Sequence, residues 1–181
     1  PEGLTLLTVA MMRSGDKLNS YRQLADALSY LPKGGWQLVI VGDGEKRADI
    51  EQMFKPFEEN ILWMGERPQE ELFNLYQLAD LYVWPASGEA YGMVFLEAGA
   101  CGLPSVAGRI RGVPDVVLDG KTGLLSPEND MQAFAELIRK LMGDPDLRAR
   151  LGNNARTFVR QERSLEKAAT LLDTHLKACR S

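Results

Sequence analysis

Two glutamates stand eight residues apart in the stretch Ser87-Gly88-Glu89-Ala90-Tyr91-Gly92-Met93-Val94-Phe95-Leu96-Glu97-Ala98. An ionised carboxylate only accepts hydrogen bonds, so it suits paired hydroxyls such as a ribose diol or the edge of a sugar. Gly88 and Gly92 allow the backbone to turn sharply and to approach a ligand closely. The stretch follows an apolar strand and runs into a helix, which leaves the amides from about Tyr91 to Val94 free at a helix N-terminus. Such amides attract anions through their hydrogen bonds and through the helix dipole. A regular helix puts Glu97 on roughly the face of Met93, at the rim of the same pocket. Taken alone, Glu89 reads better as an exposed loop acid and Glu97 as a solvated helix position. The flanking glycines and the place between strand and helix favour a ligand site.

A second cluster is Met11-Met12-Arg13-Ser14-Gly15-Asp16-Lys17, at the end of the first apolar run. Arg13 can fork onto two oxygens and Lys17 acts as a point charge, so together they can hold a diphosphate. An ordinary charged surface loop explains the same residues. Gly65-Glu66-Arg67-Pro68 is either a plain strand-to-helix turn or a loop facing a base. Gly42-Asp43-Gly44 lacks the third glycine of the dinucleotide fingerprint and reads as a tight turn. His175 is the only histidine, and Cys101 and Cys179 lack metal-ligand spacing, so a histidine triad or a histidine or cysteine metal cluster is hard to build. Trp36, Trp63 and Trp84 fall in or beside strands and read as packing.

The elements that must position these residues alternate. Apolar runs of strand length begin at Leu4, Trp36, Ile61 and Leu81, with shorter ones near Pro104 and Leu124. Helical spacing lies between them: Tyr21 to Leu31 with Asn19 or Ser20 as N-cap, about Glu45 to Phe57, and Leu72 to Ala79 with Pro68 in the first turn. Further helices are expected from about Met93, Val113, Asp130, Pro145 and Leu165, the C-terminal ones filling about 145–179. Such alternation implies right-handed crossovers and a parallel sheet covered on both faces. The expected fold is therefore α/β: one Rossmann-like, doubly wound domain over 1–181, with about six parallel strands and flanking helices. In such sheets ligands lie at the carboxyl ends of the strands. That rule points to the loops after Ala10, Val41, Gly65 and Pro85.

The chain has 181 residues, 45% hydrophobic and 25% charged, as expected of one globular domain. No apolar run is long enough to span a membrane. Two isolated cysteines read as free thiols in a reducing compartment. The net charge is −4, split as +3 from Asp144 onward and −7 before it. The acidic body argues against a nucleic-acid surface. The basic tail reads as solvated helix faces, or as a contact for an anionic partner or membrane surface. The start, Pro1-Glu2-Gly3, is neither an initiator methionine nor a signal peptide, so a fragment is an open possibility.

Glu89 to Ala98, continued by Cys101-Gly102-Leu103-Pro104, resembles the signature of the family-4 retaining glycosyltransferases. Gly112-Val113-Pro114-Asp115 and Asp119-Gly120-Lys121-Thr122-Gly123-Leu124-Leu125 resemble that family's next two blocks. The resemblance implies the GT-B architecture, two Rossmann-like domains around a cleft, of which this chain is the C-terminal, donor-binding one. It implies Glu89 beside the donor sugar, Glu97 on the nucleotide ribose, and the backbone of Tyr91, Gly92, Met93 and Val94 on sugar or phosphates. Arg13 and Lys17 would neutralise the diphosphate leaving group, so that no metal and no cofactor are expected. The partners implied are a nucleotide sugar and a missing N-terminal domain that carries the acceptor site, with peripheral membrane association of the full-length protein possible through it. A cytoplasmic location is expected, and the isolated chain is expected to transfer sugar poorly or not at all. The pattern departs from the family in three places. Lys17 follows Arg13 by only four residues, Arg111 replaces the first of two glycines, and Asp115 replaces a glutamate. The competing readings are a GT-B phosphorylase, a sugar-nucleotide hydrolase, and a binding module without turnover.

Overall fold

The computed structural model describes residues 3–163. Six strands form one sheet: β1 (Leu4–Val9), β2 (Trp36–Val41), β3 (Ile61–Gly65), β4 (Leu81–Trp84), β5 (Ser105–Gly108) and β6 (Gly123–Ser126). Their order is β3-β2-β1-β4-β5-β6, and every pairing is parallel. The α/β doubly wound expectation holds. Among the described residues, seven helices follow the strands: α1 (Asp16–Leu28), α2 (Arg47–Phe54), α3 (Gln69–Leu78), α4 (Met93–Cys101), α5 (Val113–Val116), α6 (Met131–Gly143) and α7 (Pro145–Glu162). Helix α1 packs on α2 and α6, while α4 packs on α3 and α7, which gives a helical layer on each face. Covered on both faces, the strands bury successive residues: every residue of β4, β5 and β6 is buried.

Local chemistry moves some boundaries. Asn19 and Ser20 are not caps, because α1 already starts at Asp16, after Gly15 at positive φ (77°). Inside the helix, the Ser20 hydroxyl donates to the Asp16 carbonyl at 2.8 Å. The helix expected from Glu45 to Phe57 starts at Arg47 and stops at Phe54. Pro56 cannot supply the amide that an α-turn needs, and Lys55–Asn60 winds as a 3-10 segment. Pro68 stands one residue outside α3, in an extended conformation. The helix expected from Leu165 lies outside the described residues.

Helices α6 and α7 carry side-chain caps: Asp130 accepts from the Ala133 amide and Asp144 from the Leu147 amide. Each such cap contributes about 1 kcal/mol. None of α1 to α5 has one. Among the described residues no helix is long and apolar enough to cross a membrane.

Candidate functional site

All six strands point the same way, so the loops after β1 to β4 share one sheet edge. The chain direction across the sheet reverses between β1 and β4, and a crevice opens at such a switch point. Two loops meet there. The first turn of α1 brings Lys17, whose Nζ lies 2.6 Å from Glu89 Oε2 in the β4–α4 loop. Only about a fifth of either side chain is exposed (19% and 21%). The same ammonium sits 5.7 Å above the centre of the buried Trp84 ring. A second clasp lies two residues along α1: Asn19 Nδ2 donates to Ser87 Oγ at 2.6 Å.

The β4–α4 loop is also fixed from its other sides. Gly88 is left-handed (φ 66°) and runs so close to Asp16 that a Cβ would fall 2.0 Å from its Oδ2. Arg111, itself at positive φ (43°), donates from Nη1 to the Gly88 carbonyl at 3.0 Å. The arginine that replaces a family glycine thus braces the loop. Arg13 is exposed on the same cleft of about 320 Å³ as Lys17 and Glu89. It makes no hydrogen bond or ion pair with another described residue.

The loop carrying Arg13 is supported from β2. The Met12 amide donates to the Asp43 carbonyl and the Lys46 amide to the Met12 carbonyl, each at 2.9 Å. Gly42 and Gly44 permit this crossing: a Cβ at Gly42 would lie 2.0 Å from the Ala10 oxygen, and one at Gly44 would lie 2.5 Å from the Met12 oxygen. The sequence pattern read there as a tight turn is a close backbone crossing under the Arg13 loop.

Helix α4 starts between the two glutamates. Gly92 is left-handed (φ 85°), and a Cβ there would meet the Phe95 ring at 2.5 Å. No side chain caps this helix, so its first-turn amides face the crevice edge without one. Tyr91 and Met93 are exposed and Val94 is half-buried. Glu97 lies one turn past Met93 on the exposed face, but it is more than a solvated position. The Tyr76 hydroxyl, from α3, donates to Glu97 Oε2 at 2.9 Å. Burial pushes the Tyr76 phenol far above its usual range, so it remains a donor.

Glu97, Tyr76, Arg67 and Cys101 line a second cleft, of about 540 Å³, between α3 and α4. Arg67 Nη1 is 3.7 Å from Glu71 Oε2, and its Nε is buried without a partner among the described residues. Burial raises the Cys101 thiol above its ordinary value, an effect that Arg156 opposes. The candidates thus fall into two clefts, one before the start of α4 and one along its middle and end. Arg13, Lys17 and Glu89 line one; Arg67 and Glu97 line the other; Tyr91, Gly92, Met93 and Val94 lie between. Among the described residues, no three His, Cys, Asp or Glu side chains converge as a metal site. His175 and Cys179 lie outside the described residues. Trp84 and Trp36 are buried, and Trp63 is half-buried edge-on to Phe54, so the tryptophans are packing groups as expected.

Sequence reasoning missed the Asn19–Ser87 clasp and the place of Tyr76. At its position before an apolar helical stripe, Asn19 reads as a helix cap. Tyr76 belongs to the apolar stripe of α3, and only its hydroxyl sets it apart from the leucines around it.

Comparison with known proteins bears on the whole arrangement. The family model for glycosyl transferases group 1 matches residues 6–158. The chain is 32% identical over 140 residues to the N-acetyl-alpha-D-glucosaminyl L-malate synthase of Bacillus anthracis, covering 76% of this chain and 36% of that protein. It is 36% identical over 141 residues to the D-inositol 3-phosphate glycosyltransferase of Corynebacterium jeikeium, covering 74% of this chain and 34% of that protein. Among solved structures, it superposes on sucrose-phosphate synthase of Thermosynechococcus elongatus with a TM-score of 0.86 at 26% identity, covering 99% of this chain and 46% of that one. The Anabaena protein HepE, solved in complex with UDP, gives a TM-score of 0.86 at 21% identity, covering 98% and 49%, a likeness of fold. The chain therefore spans about a third of the length of these curated relatives and just under half of these solved structures. With the match running from within β1 to the last turns of α7, this chain belongs to the group 1 glycosyltransferases.

Proposed function

We propose that this chain is the C-terminal, donor-binding domain of a retaining glycosyltransferase that moves a sugar from a nucleoside-diphosphate sugar to an acceptor hydroxyl without a metal. The observation that carries the proposal is the Lys17–Glu89 pair at the switch point, beside the uncapped start of α4. Lys17 and Arg13 take the diphosphate, whose negative charge grows as the bond to the sugar breaks. Backbone amides at Tyr91, Gly92, Met93 and Val94 share the phosphates or the sugar. Glu89 accepts from hydroxyls of the donor sugar. Glu97 accepts from the ribose hydroxyls, and Arg67 lies beside the nucleoside. In the step itself, the bond between the anomeric carbon and the diphosphate oxygen breaks. The acceptor oxygen bonds to that carbon on the same face, and its proton leaves with the nucleoside diphosphate.

The acceptor site belongs to a second, N-terminal domain, consistent with the third of the curated relatives' length that this chain spans. That domain also closes over the donor and excludes water, so this chain alone transfers poorly. The full protein works in the cytoplasm, with peripheral membrane contact, where present, made by the other domain. The test is calorimetric titration with UDP, GDP and ADP. Binding of one of them, weakened by Lys17→Met and by Glu97→Ala in folded protein, is expected. Unchanged affinity in both variants would refute the site. In the complete protein, turnover that requires free phosphate would make it a phosphorylase, and turnover without any acceptor a hydrolase. Full biological function with Glu89→Ala would make the site a sensor.

A further inference from the structure

We infer that Tyr76 is a positioning residue for nucleotide recognition: its buried hydroxyl fixes the Glu97 carboxylate in the one orientation that grips a ribose diol. The inference rests on the proposed role of Glu97 and goes beyond it. Glu97 projects from the exposed face of α4, where a glutamate has several rotamers of similar energy. A ligand that must first freeze such a side chain binds more weakly than one meeting a fixed carboxylate. Tyr76 does the freezing in advance. The residue is 3% exposed, and its ring packs against that of Tyr82 with centres 6.0 Å apart, so the hydroxyl itself is held in place. It donates to Glu97 Oε2 at 2.9 Å. Burial keeps that hydroxyl protonated, so it offers a proton to the carboxylate at any ordinary pH.

The acceptor capacity that remains suits a diol. A carboxylate has about four lone-pair sites on two oxygens. Tyr76 occupies one on Oε2. All of Oε1 and the rest of Oε2 stay open toward the 540 Å³ cleft between α3 and α4. Two vicinal hydroxyls need two acceptors at fixed separation, which an oriented carboxylate supplies and a swinging one does not.

The readout is the affinity gap between a ribonucleotide and its 2′,3′-dideoxy form, measured with whichever of UDP, GDP and ADP the protein binds. The native protein is expected to prefer the ribo form by about tenfold or more. Tyr76→Phe keeps the ring and removes only the donor. It is expected to narrow that gap by about three- to tenfold while leaving dideoxy affinity and the thermal midpoint nearly unchanged. A general packing defect would weaken both forms alike. In the Glu97→Ala background the gap is already closed, and adding Tyr76→Phe is expected to change nothing further. A gap that Glu97→Ala closes but Tyr76→Phe leaves intact would overturn the positioning role and leave the ribose reading standing. A gap absent from the native protein, or surviving in Glu97→Ala, or no binding of any of the three nucleotides, would overturn both. Should Tyr76→Phe fold poorly, Tyr76→Met removes the donor as well and fills the space with a flexible apolar chain. It is expected to narrow the gap likewise, and a gap left intact there would overturn the positioning role.

Discussion

Replacing Gly42 by alanine tests whether the close crossing of two backbones holds the Arg13 loop in place. The added Cβ would fall 2.0 Å from the Ala10 oxygen and 2.9 Å from its carbonyl carbon. Both are backbone atoms, so no flexible side chain can swing away. Ala10 is also pinned: its amide donates to the Val41 carbonyl at 3.0 Å, and its oxygen accepts from the buried Tyr21 hydroxyl at 2.7 Å. Relieving the clash means moving Ala10 by roughly 1 Å, which breaks the Tyr21 bond and leaves a buried hydroxyl unpaired, at about 1–3 kcal/mol. Alanine at φ 138° adds strain of about 1–3 kcal/mol. The sum, about 2–6 kcal/mol, is a large share of the 5–15 kcal/mol that holds a typical domain folded. Urea unfolding followed by circular dichroism should show a much lower midpoint at an unchanged slope. Gly34→Ala serves as the control, since its Cβ meets nothing within 4 Å. It should shift stability by no more than about 0.5 kcal/mol. A Gly42→Ala protein within 1 kcal/mol of native stability would refute the crossing.

Lys17→Met should destabilise the fold by about 1–2 kcal/mol, because it strands the Glu89 carboxylate in a mostly covered position; thermal melts against Lys17→Met/Glu89→Gln should recover part of that loss. Arg156→Leu removes the guanidinium that donates to the Cys101 carbonyl at 2.7 Å at the end of α4, and should lower stability by about 1 kcal/mol in chemical denaturation. Burial raises the phenols of Tyr21, Tyr76 and Tyr82, so ultraviolet titration at pH 11 should ionise fewer than the five tyrosines in folded protein and all five in urea. The unfolded chain ionises first, so stability present below pH 10 should fall above it by about 1.4 kcal/mol per pH unit for each such tyrosine. The Cys101 thiol, also raised by burial, should react with iodoacetamide at least about tenfold more slowly than free cysteine in a Cys179→Ser background.

Much of the fold was legible because burial on both faces writes strands as unbroken apolar runs. Trp36–Val41 and Leu81–Trp84 could be read from residue type alone. What escaped reading was decided by contacts between distant segments. Nothing local tells that Asn19 reaches Ser87, 68 residues on, and does not cap its own helix. Nothing near Gly42 and Gly44 shows that the backbone they admit belongs to the β1–α1 loop. The boundary at Phe54 does carry a local signal in Pro56, whose missing amide stops the α-turn while the apolar spacing runs on to Phe57. The Glu89–Glu97 spacing placed both acids beside the start of α4, but the sequence is silent on Tyr76 as the hidden partner of one of them.

The seam between β1 and β4 is short. Only Leu6–Leu81 and Leu7–Tyr82 are in register there, against six pairs between β1 and β2. Bonds outside that register stitch the rest: the Asp80 amide donates to the Thr5 carbonyl and the Asp80 carboxylate accepts from the Thr5 amide, each at 2.8 Å, and the buried Thr8 hydroxyl donates to the Val83 carbonyl at 2.6 Å. The Lys17–Glu89 and Asn19–Ser87 contacts sit directly above this seam, each joining one half of the sheet to the other. The crevice therefore comes into being only when the two halves have docked, and it vanishes when they part. An occupant touching both loops would act as a rivet across the joint. It would slow deuterium uptake along Thr5–Val9 and Leu81–Trp84 before it altered any other strand.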